Sequence, residues 1–213
     1  MKQVVLIIMA CMLSVCGYAQ TEWERFDVDV NTGDGAEAEK AGVDEKYLAG
    51  AVTLNGGRVE WVLDFDVPSK TSEQIYDIVL KCFTNLTKTD NQLEGSHVSL
   101  TDEDEHVVVA DVREWLVFSD KLLDFDRTKF FYTLIAYCDD GHLKMTMNRI
   151  SYRYEEARVR GGYFYKAEDL ITDDNALNRK KTKLLRGNSG KFRRKTIDRK
   201  DFIFSTLKEA VLR

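Results

Sequence analysis

Two periodicities take turns along the chain and predict its elements. Val59, Trp61, Leu63, Phe65 and Val67 alternate with Glu60, Val62, Asp64 and Asp66, the pattern of a strand with one apolar face and one mostly charged face. Pro68 ends that run. Thr71-Ser72-Glu73-Gln74 then has the composition of a capping box, in which the Thr hydroxyl and the Gln amide satisfy orphan backbone amides. Behind it Ile75, Ile78, Val79, Cys82, Phe83 and Leu86 recur at helical spacing.

The period of two returns downstream. Asn55-Gly56-Gly57 marks a turn after Val52-Thr53-Leu54. Val98 and Leu100 predict a short strand, with its turn over residues 101–106. Residues 107–118 form a long β-branched run with Val108, Ala110, Val112, Leu116 and Phe118 on one face, and residues 130–138 are aromatic-rich. Asp139-Asp140-Gly141-His142 reads as a hairpin turn into Leu143, Met145 and Met147. The apolar parity then shifts to Ile150, Tyr152 and Tyr154, which predicts a β-bulge. Thr172-Asp173-Asp174-Asn175 suits a helix start, and a last helix is expected from Thr196 or Asp198, with Ile203, Leu207, Ala210 and Val211 as its stripe. Strand, helix, hairpin-linked strands, helix is an α+β order, with an antiparallel sheet and helices on one face.

The first residues follow neither period. Lys2 precedes the continuous apolar run Val4 to Leu13, and Gly17-Tyr18-Ala19 offers small residues at the positions a signal peptidase reads. This predicts a signal peptide over residues 1–19, cleaved between Ala19 and Gln20, and an exported, periplasmic or secreted product. The apolar run is shorter than the about 20 residues that a spanning helix requires. A lipoprotein through Cys11 or Cys16 is disfavoured, because Val15 is a poor neighbour for lipidation at Cys16 and Cys11 would leave a very short apolar run. Residues 31–42 are small, acidic and aperiodic, so residues 20–46 are expected to be a flexible linker and residues 47–213 a single domain.

A net charge of -5 argues against generic binding of nucleic acid by the whole molecule. Two of the four cysteines lie in the leader, leaving Cys82 and Cys138. Export permits a disulfide between them, yet two cysteines without further pattern do not demand one. Buried free thiols are the simpler expectation.

The passage from Trp61 to Tyr76 (WVLDFDVPSKTSEQIY) resembles the opening of an uncharacterised family of exported proteins from Bacteroides-type bacteria, the domain of unknown function 4468, with a fold like the TATA-binding protein (TBP). Asn148-Arg149-Ile150-Ser151-Tyr152 and the basic segment Lys191 to Lys200 (KFRRKTIDRK) fit the same family. The resemblance spans residues 47–213. It implies a curved antiparallel sheet with two helices on its convex face, and it brings no site residues. A shared fold does not carry a shared activity.

Catalytic patterns are sparse. His97, His106 and His142 lack neighbours at ligand spacing, so no zinc site is expected. Asp102-Glu103-Asp104-Glu105 lacks the spaced ligands and central glycine of a calcium loop. There is no Gly-x-Ser-x-Gly elbow, and Gly161-Gly162 and Gly187-Asn188-Ser189-Gly190 lack the Lys-Ser/Thr ending of a phosphate loop. Asp64 and Asp66 share a strand face, as an acid-base pair would, but so do residues of a solvated face. No catalytic residue and no cofactor is therefore expected. The best candidate is the basic tail: Arg193, Arg194 and Lys195 as cations, with Tyr152, Tyr154, Tyr163 and Tyr165 as stacking partners. The alternative is a solvated cationic surface. The function expected is a non-enzymatic envelope binding or interaction module that takes an anionic envelope polymer or another envelope protein. A hydrolase with a site scattered through the sequence, or polyanion or nucleic-acid binding through the basic tail, stand as alternatives.

Overall fold

The computed structural model describes residues 45–121, 124–156 and 161–213. The expected leader and all but the last two residues of the expected linker lie outside these residues.

After a short 3-10 turn at Glu45–Tyr47, a small hairpin of β1 (Leu54–Asn55) and β2 (Arg58–Val59) leads into β3 (Trp61–Asp66). Helix α1 (Ser72–Leu86) follows with the expected capping box: the Gln74 amide donates to Thr71 Oγ1 at 3.4 Å and the Thr71 amide to Gln74 Oε1 at 3.0 Å. Strands β4 (His97–Asp102), β5 (Val107–Lys121), β6 (Asp124–Asp139) and β7 (His142–Tyr154) then run antiparallel, and β8 (Tyr163–Lys166) closes the set. One-turn helices α2 (Ala167–Leu170) and α3 (Asp173–Ala176) precede the long α4 (Asn188–Leu212).

The six-stranded sheet has the order β3-β7-β6-β5-β4, with β8 beside the far half of β7. The fold is α+β, as the order of periodicities predicts, and the sheet does not close into a barrel. Asp140 and Gly141 make the tight β6–β7 turn, where Gly141 has φ 71°. The shift of apolar parity in β7 is a bulge: Thr133 pairs with Asn148 while Phe131 pairs with Ser151, and Arg149 sits at φ 55°. That inserted residue keeps Ile150, Tyr152 and Tyr154 on the same face as Met145 and Met147.

Helices α1 and α4 both cover this face and touch each other. Ile75, Val79 and Phe83 of α1 belong to one buried cluster with Val108, Ala110, Leu134, Ala136, Leu143 and Met145, and the helix packs over β5 and β6. Phe192 of α4 meets Tyr152 and Tyr154 edge-on at 4.9 and 5.4 Å, and Tyr152 stacks on Phe130 at 5.4 Å. The start of α4 corrects the sequence expectation. The helix begins at Asn188 with Gly187 as its cap, not at Thr196 or Asp198. Gly190 is needed there, because a Cβ would stand 2.0 Å from the Leu185 carbonyl oxygen.

Among the described residues two charged groups are completely enclosed. Glu114 is completely enclosed and takes a two-pronged ion pair from Arg199 (2.8 and 2.7 Å), together with donors from Tyr132, Asn91 and Gln92. Burial, followed by the adjacent Glu114 carboxylate, drives the Tyr132 phenol well above its ordinary range. Arg193 is also completely enclosed, donating to the carbonyls of Tyr47, Leu48 and Ile171 and to Asp173.

Candidate functional site

The face of the sheet opposite the helices is open. Its chemistry follows from register, because residues paired across antiparallel strands share a face and successive pairs on that face lie two residues apart. Reading across the strands gives five rows. The first is Asp64, Lys144, Tyr137, Val107 and Asp102; the second is Val62, Thr146, Ile135, Val109 and Leu100. The middle row is Asn148, Thr133, Asp111 and His97. The fourth is Lys166, Ser151, Phe131 and Arg113, and the fifth is Phe164, Arg153, Lys129 and Trp115. The face thus runs from an acidic end through an apolar row to a cationic, aromatic end.

The cationic end holds a depression of about 780 Å³ walled by Arg113, Lys129, Arg149 and Arg153, with Phe131 and Phe164 among its apolar lining. Arg127 lies 3.7 Å over the Trp115 ring beside it. The bulge in β7 supplies Arg149: the extra residue puts both Asn148 and Arg149 on the open side, at the cost of a left-handed backbone for an arginine. Lys129 pairs with Glu156 at 2.6 Å, and Arg153 lies 3.8 Å from the same carboxylate. Arg113 and Arg149 are exposed, and neither forms an ion pair with any described residue. Each has a guanidinium fork suited to carboxylate, sulfate or phosphate.

The acidic end holds a second depression, of about 1110 Å³, lined by Glu60, Asp64, Asp102, Glu105 and Asp139 together with Val62, Leu100 and Tyr137. There His142 touches Asp64 through Nε2 at 3.0 Å and Asp66 through Nδ1 at 2.9 Å. The hydrogen bond to Asp66 leads the effects that raise the His142 pKa above its ordinary value. Among the described residues no group of three or more His, Cys, Asp or Glu side chains is arranged to hold a metal ion, and no helix is long and apolar enough to cross a membrane.

The tail residues singled out from sequence are dispersed by the fold. Tyr152 and Arg193 are completely enclosed and Tyr154 is 5% exposed. Tyr152 spends its hydroxyl on Thr196 at 2.8 Å, and Tyr154 donates to Asp126 and accepts from Lys191. These three are corrected from ligand contacts to core members: Phe192 of α4 covers Tyr152 and Tyr154, and Arg193 is enclosed between α4 and the segments of Tyr47 and Ile171. Tyr163 remains exposed and stacks on Tyr165, which turns its own edge to Phe192. Arg194 is exposed with its guanidinium 5.5 Å over Tyr47, and Lys195 is half-buried. Cys82 is half-buried on α1 and Cys138 buried on β6, both as free thiols. Burial, with help from Asp139, pushes the Cys138 thiol up to about 12, where it is inert.

Arg113, Lys129, Arg149 and Arg153 form no run in the sequence because they are scattered over three strands, one on β5, one on β6 and two on β7. Their signal was the polar parity of each strand, with Arg149 masked further by the bulge.

The comparisons with known proteins agree with this architecture. Residues 61–153 match the model of a domain of unknown function (DUF4468) with TBP-like fold. A crystal structure of a DUF4468 family protein from Bacteroides ovatus ATCC 8483 is 36% identical, covers 79% of this chain and 95% of its own, and superimposes with a TM-score of 0.71. The chain belongs to the DUF4468 family. A TBP-like protein from Parabacteroides distasonis ATCC 8503, at 19% identity, 75% coverage of this chain, 96% of its own and a TM-score of 0.60, shares the fold. No curated protein matches the sequence. The DUF4468 model ends at Arg153, so it includes β3 to β7 and the four cations of the depression but neither β8 nor α4.

Proposed function

We propose that this DUF4468 protein is an exported, non-enzymatic binding module of the bacterial envelope, and that the cationic end of its open sheet face holds an anionic partner. The leader read over residues 1–19 supports the location. One observation carries the binding reading: Arg113 and Arg149 stand without ion-pair partners among the described residues, on the rim of one depression beside Phe131 and Phe164. A solvated charged face would spread its cations among acids, as Lys129 is spread toward Glu156. Arginine forks beside aromatic rings instead suit carboxylate or sulfate groups borne on sugar rings, the chemistry of an anionic envelope polymer.

Titration of the purified protein with a carboxylated polysaccharide, read by Trp115 fluorescence, tests it. Binding should weaken as salt rises from about 0.05 to 0.5 M, because the attraction is between exposed charges. Replacing Arg113 and Arg149 together by Ala should weaken it by about tenfold or more, on the scale of charge-assisted hydrogen bonds. Binding that ignores both salt and the double variant overturns the reading.

A further inference from the structure

The four cations of the depression are not equivalent. Arg113 and Arg149 have no ion-pair partner among the described residues, whereas Lys129 and Arg153 share one carboxylate. Glu156 presents Oε2 to Lys129 Nζ at 2.6 Å and Oε1 to Arg153 Nη1 at 3.8 Å. Lys129 and Arg153 are direct partners across β6 and β7, so two neighbouring cations face one anion. Glu94 and Asp111 also line the depression, and neither forms an ion pair with a described residue.

The backbone holds the Glu156 carboxylate where it is. β7 ends at Tyr154, and Glu155 then takes a left-handed conformation at φ 55°, which is uncommon away from glycine and marks a backbone set by its surroundings. Gly162, at φ 63°, passes close by. A Cβ on it would stand 2.9 Å from Cα and Cγ of Glu156 and from the Tyr154 carbonyl oxygen. The Glu156 and Lys129 side chains are 34% and 32% exposed, and Lys129 Nζ lies 6.0 Å from the centre of the Trp115 ring. A placed, partly shielded carboxylate on a pair of cations occupies the position that a carboxylate or sulfate of a ligand would take.

We infer that the depression takes two anionic groups of one molecule, the first on Arg113 and Arg149, the second on Lys129 and Arg153 in place of Glu156. The inference rests on the anion-binding reading and adds to it a ligand class and a resident competitor. Arg113 stands one strand and one row away from Lys129, about 8 Å by the spacings of an antiparallel sheet, so the two groups belong to separate units of a chain. A ligand with one anionic group is held by the two unpaired arginines and leaves Glu156 in place. A chain with repeated anionic groups displaces Glu156 and gains the second pair of cations, less the cost of breaking the internal contact.

Galacturonate and its linear tetramer, each titrated into the purified protein and followed by NMR, test it. Salt of about 0.15 M screens charges more than about 8 Å apart and so isolates the contacts. Glu156→Gln keeps the size of the side chain and removes its charge, and an amide spectrum unchanged away from residue 156 shows that the variant is folded. It should bind the tetramer about two- to fivefold more tightly, the scale of one exposed ion pair that no longer has to be broken, with the affinity for the monomer unchanged. Lys129→Met with Arg153→Met should weaken the tetramer alone, and adding Glu156→Gln to that pair should restore nothing. A Glu156→Gln protein that gains nothing on the tetramer, or gains equally on both ligands, overturns the inference. If Arg113→Ala with Arg149→Ala still weakens both ligands in that case, the anion reading stands. Neither ligand bound, by the wild type or by Glu156→Gln, sinks the reading and the inference together.

Discussion

Arg113 and Glu114 are neighbours in sequence and opposites in circumstance. Glu114 points under the helices, is fully enclosed, and receives donors from Arg199, Tyr132, Asn91 and Gln92. Arg113 points to the open face, is exposed, and has no ion-pair partner among the described residues. Arg193 and Arg194 repeat the contrast on α4: one is locked into three carbonyls and Asp173, the other lies over Tyr47 at the surface. A charged residue in this fold is structural or available according to its face, not its type. Burial makes a charge costly and therefore fully partnered, whereas exposure leaves it free to meet another molecule.

The largest effects should fall on the covered face. Glu114→Ala takes the carboxylate from the buried Arg199 guanidinium, and Arg193→Ala removes the donors to the Tyr47, Leu48 and Ile171 carbonyls and to Asp173. Each should cost about 3 to 5 kcal/mol in urea unfolding, the range for breaking a buried ionic contact from one side. If Arg113→Ala costs as much, the division between faces fails. Removing the α1 cap with Thr71→Ala should cost about 1 kcal/mol by the same measurement, since one orphan amide loses its acceptor. On the open face, Arg113→Ala with Arg149→Ala should shift stability by no more than about 0.5 kcal/mol while polysaccharide binding falls. Loss of stability together with binding would make these arginines structural.

The smallest effect belongs to His142. Its folded pKa is raised above 6.5, so its contribution is complete below that value and is lost as pH rises through the folded pKa. NMR titration of His142 should show the raised value, and Asp66→Asn should lower it. An unshifted His142 in the wild-type protein would remove the charged contact from the acidic end.

Export is checked on its own terms. The N-terminus of the protein recovered from its native cell should be Gln20, and a retained Met1 would place the protein in another compartment.

Much of the fold was legible because it is local. The alternation through Trp61, Leu63 and Phe65, the Thr71-to-Gln74 cap and the Asp140-Gly141 turn each depend on residues within a few positions of one another. Even the β7 bulge showed itself as a change of parity between Met147 and Ile150. The α4 start differs from the expectation because Gly187 to Gly190 has loop composition, while the need for Gly190 comes from the close approach of the Leu185 carbonyl, which composition does not show.

By itself, then, the sequence determined the order of the main strands and of α1, the apolar face of each, and the family resemblance that follows, but neither β8 nor the start of α4. Tertiary structure alone decided which charges are enclosed and which stand together. Arg193 looks like its neighbours in a basic run until α4 is laid over Tyr47 and Ile171. Arg113, Lys129 and Arg153 are strangers in sequence until pairing sets them side by side. The physical reason is range: hydrogen-bonded periodicity is written over a few residues, whereas desolvation and Coulomb contact depend on which distant segments the packed sheet brings within a few ångströms.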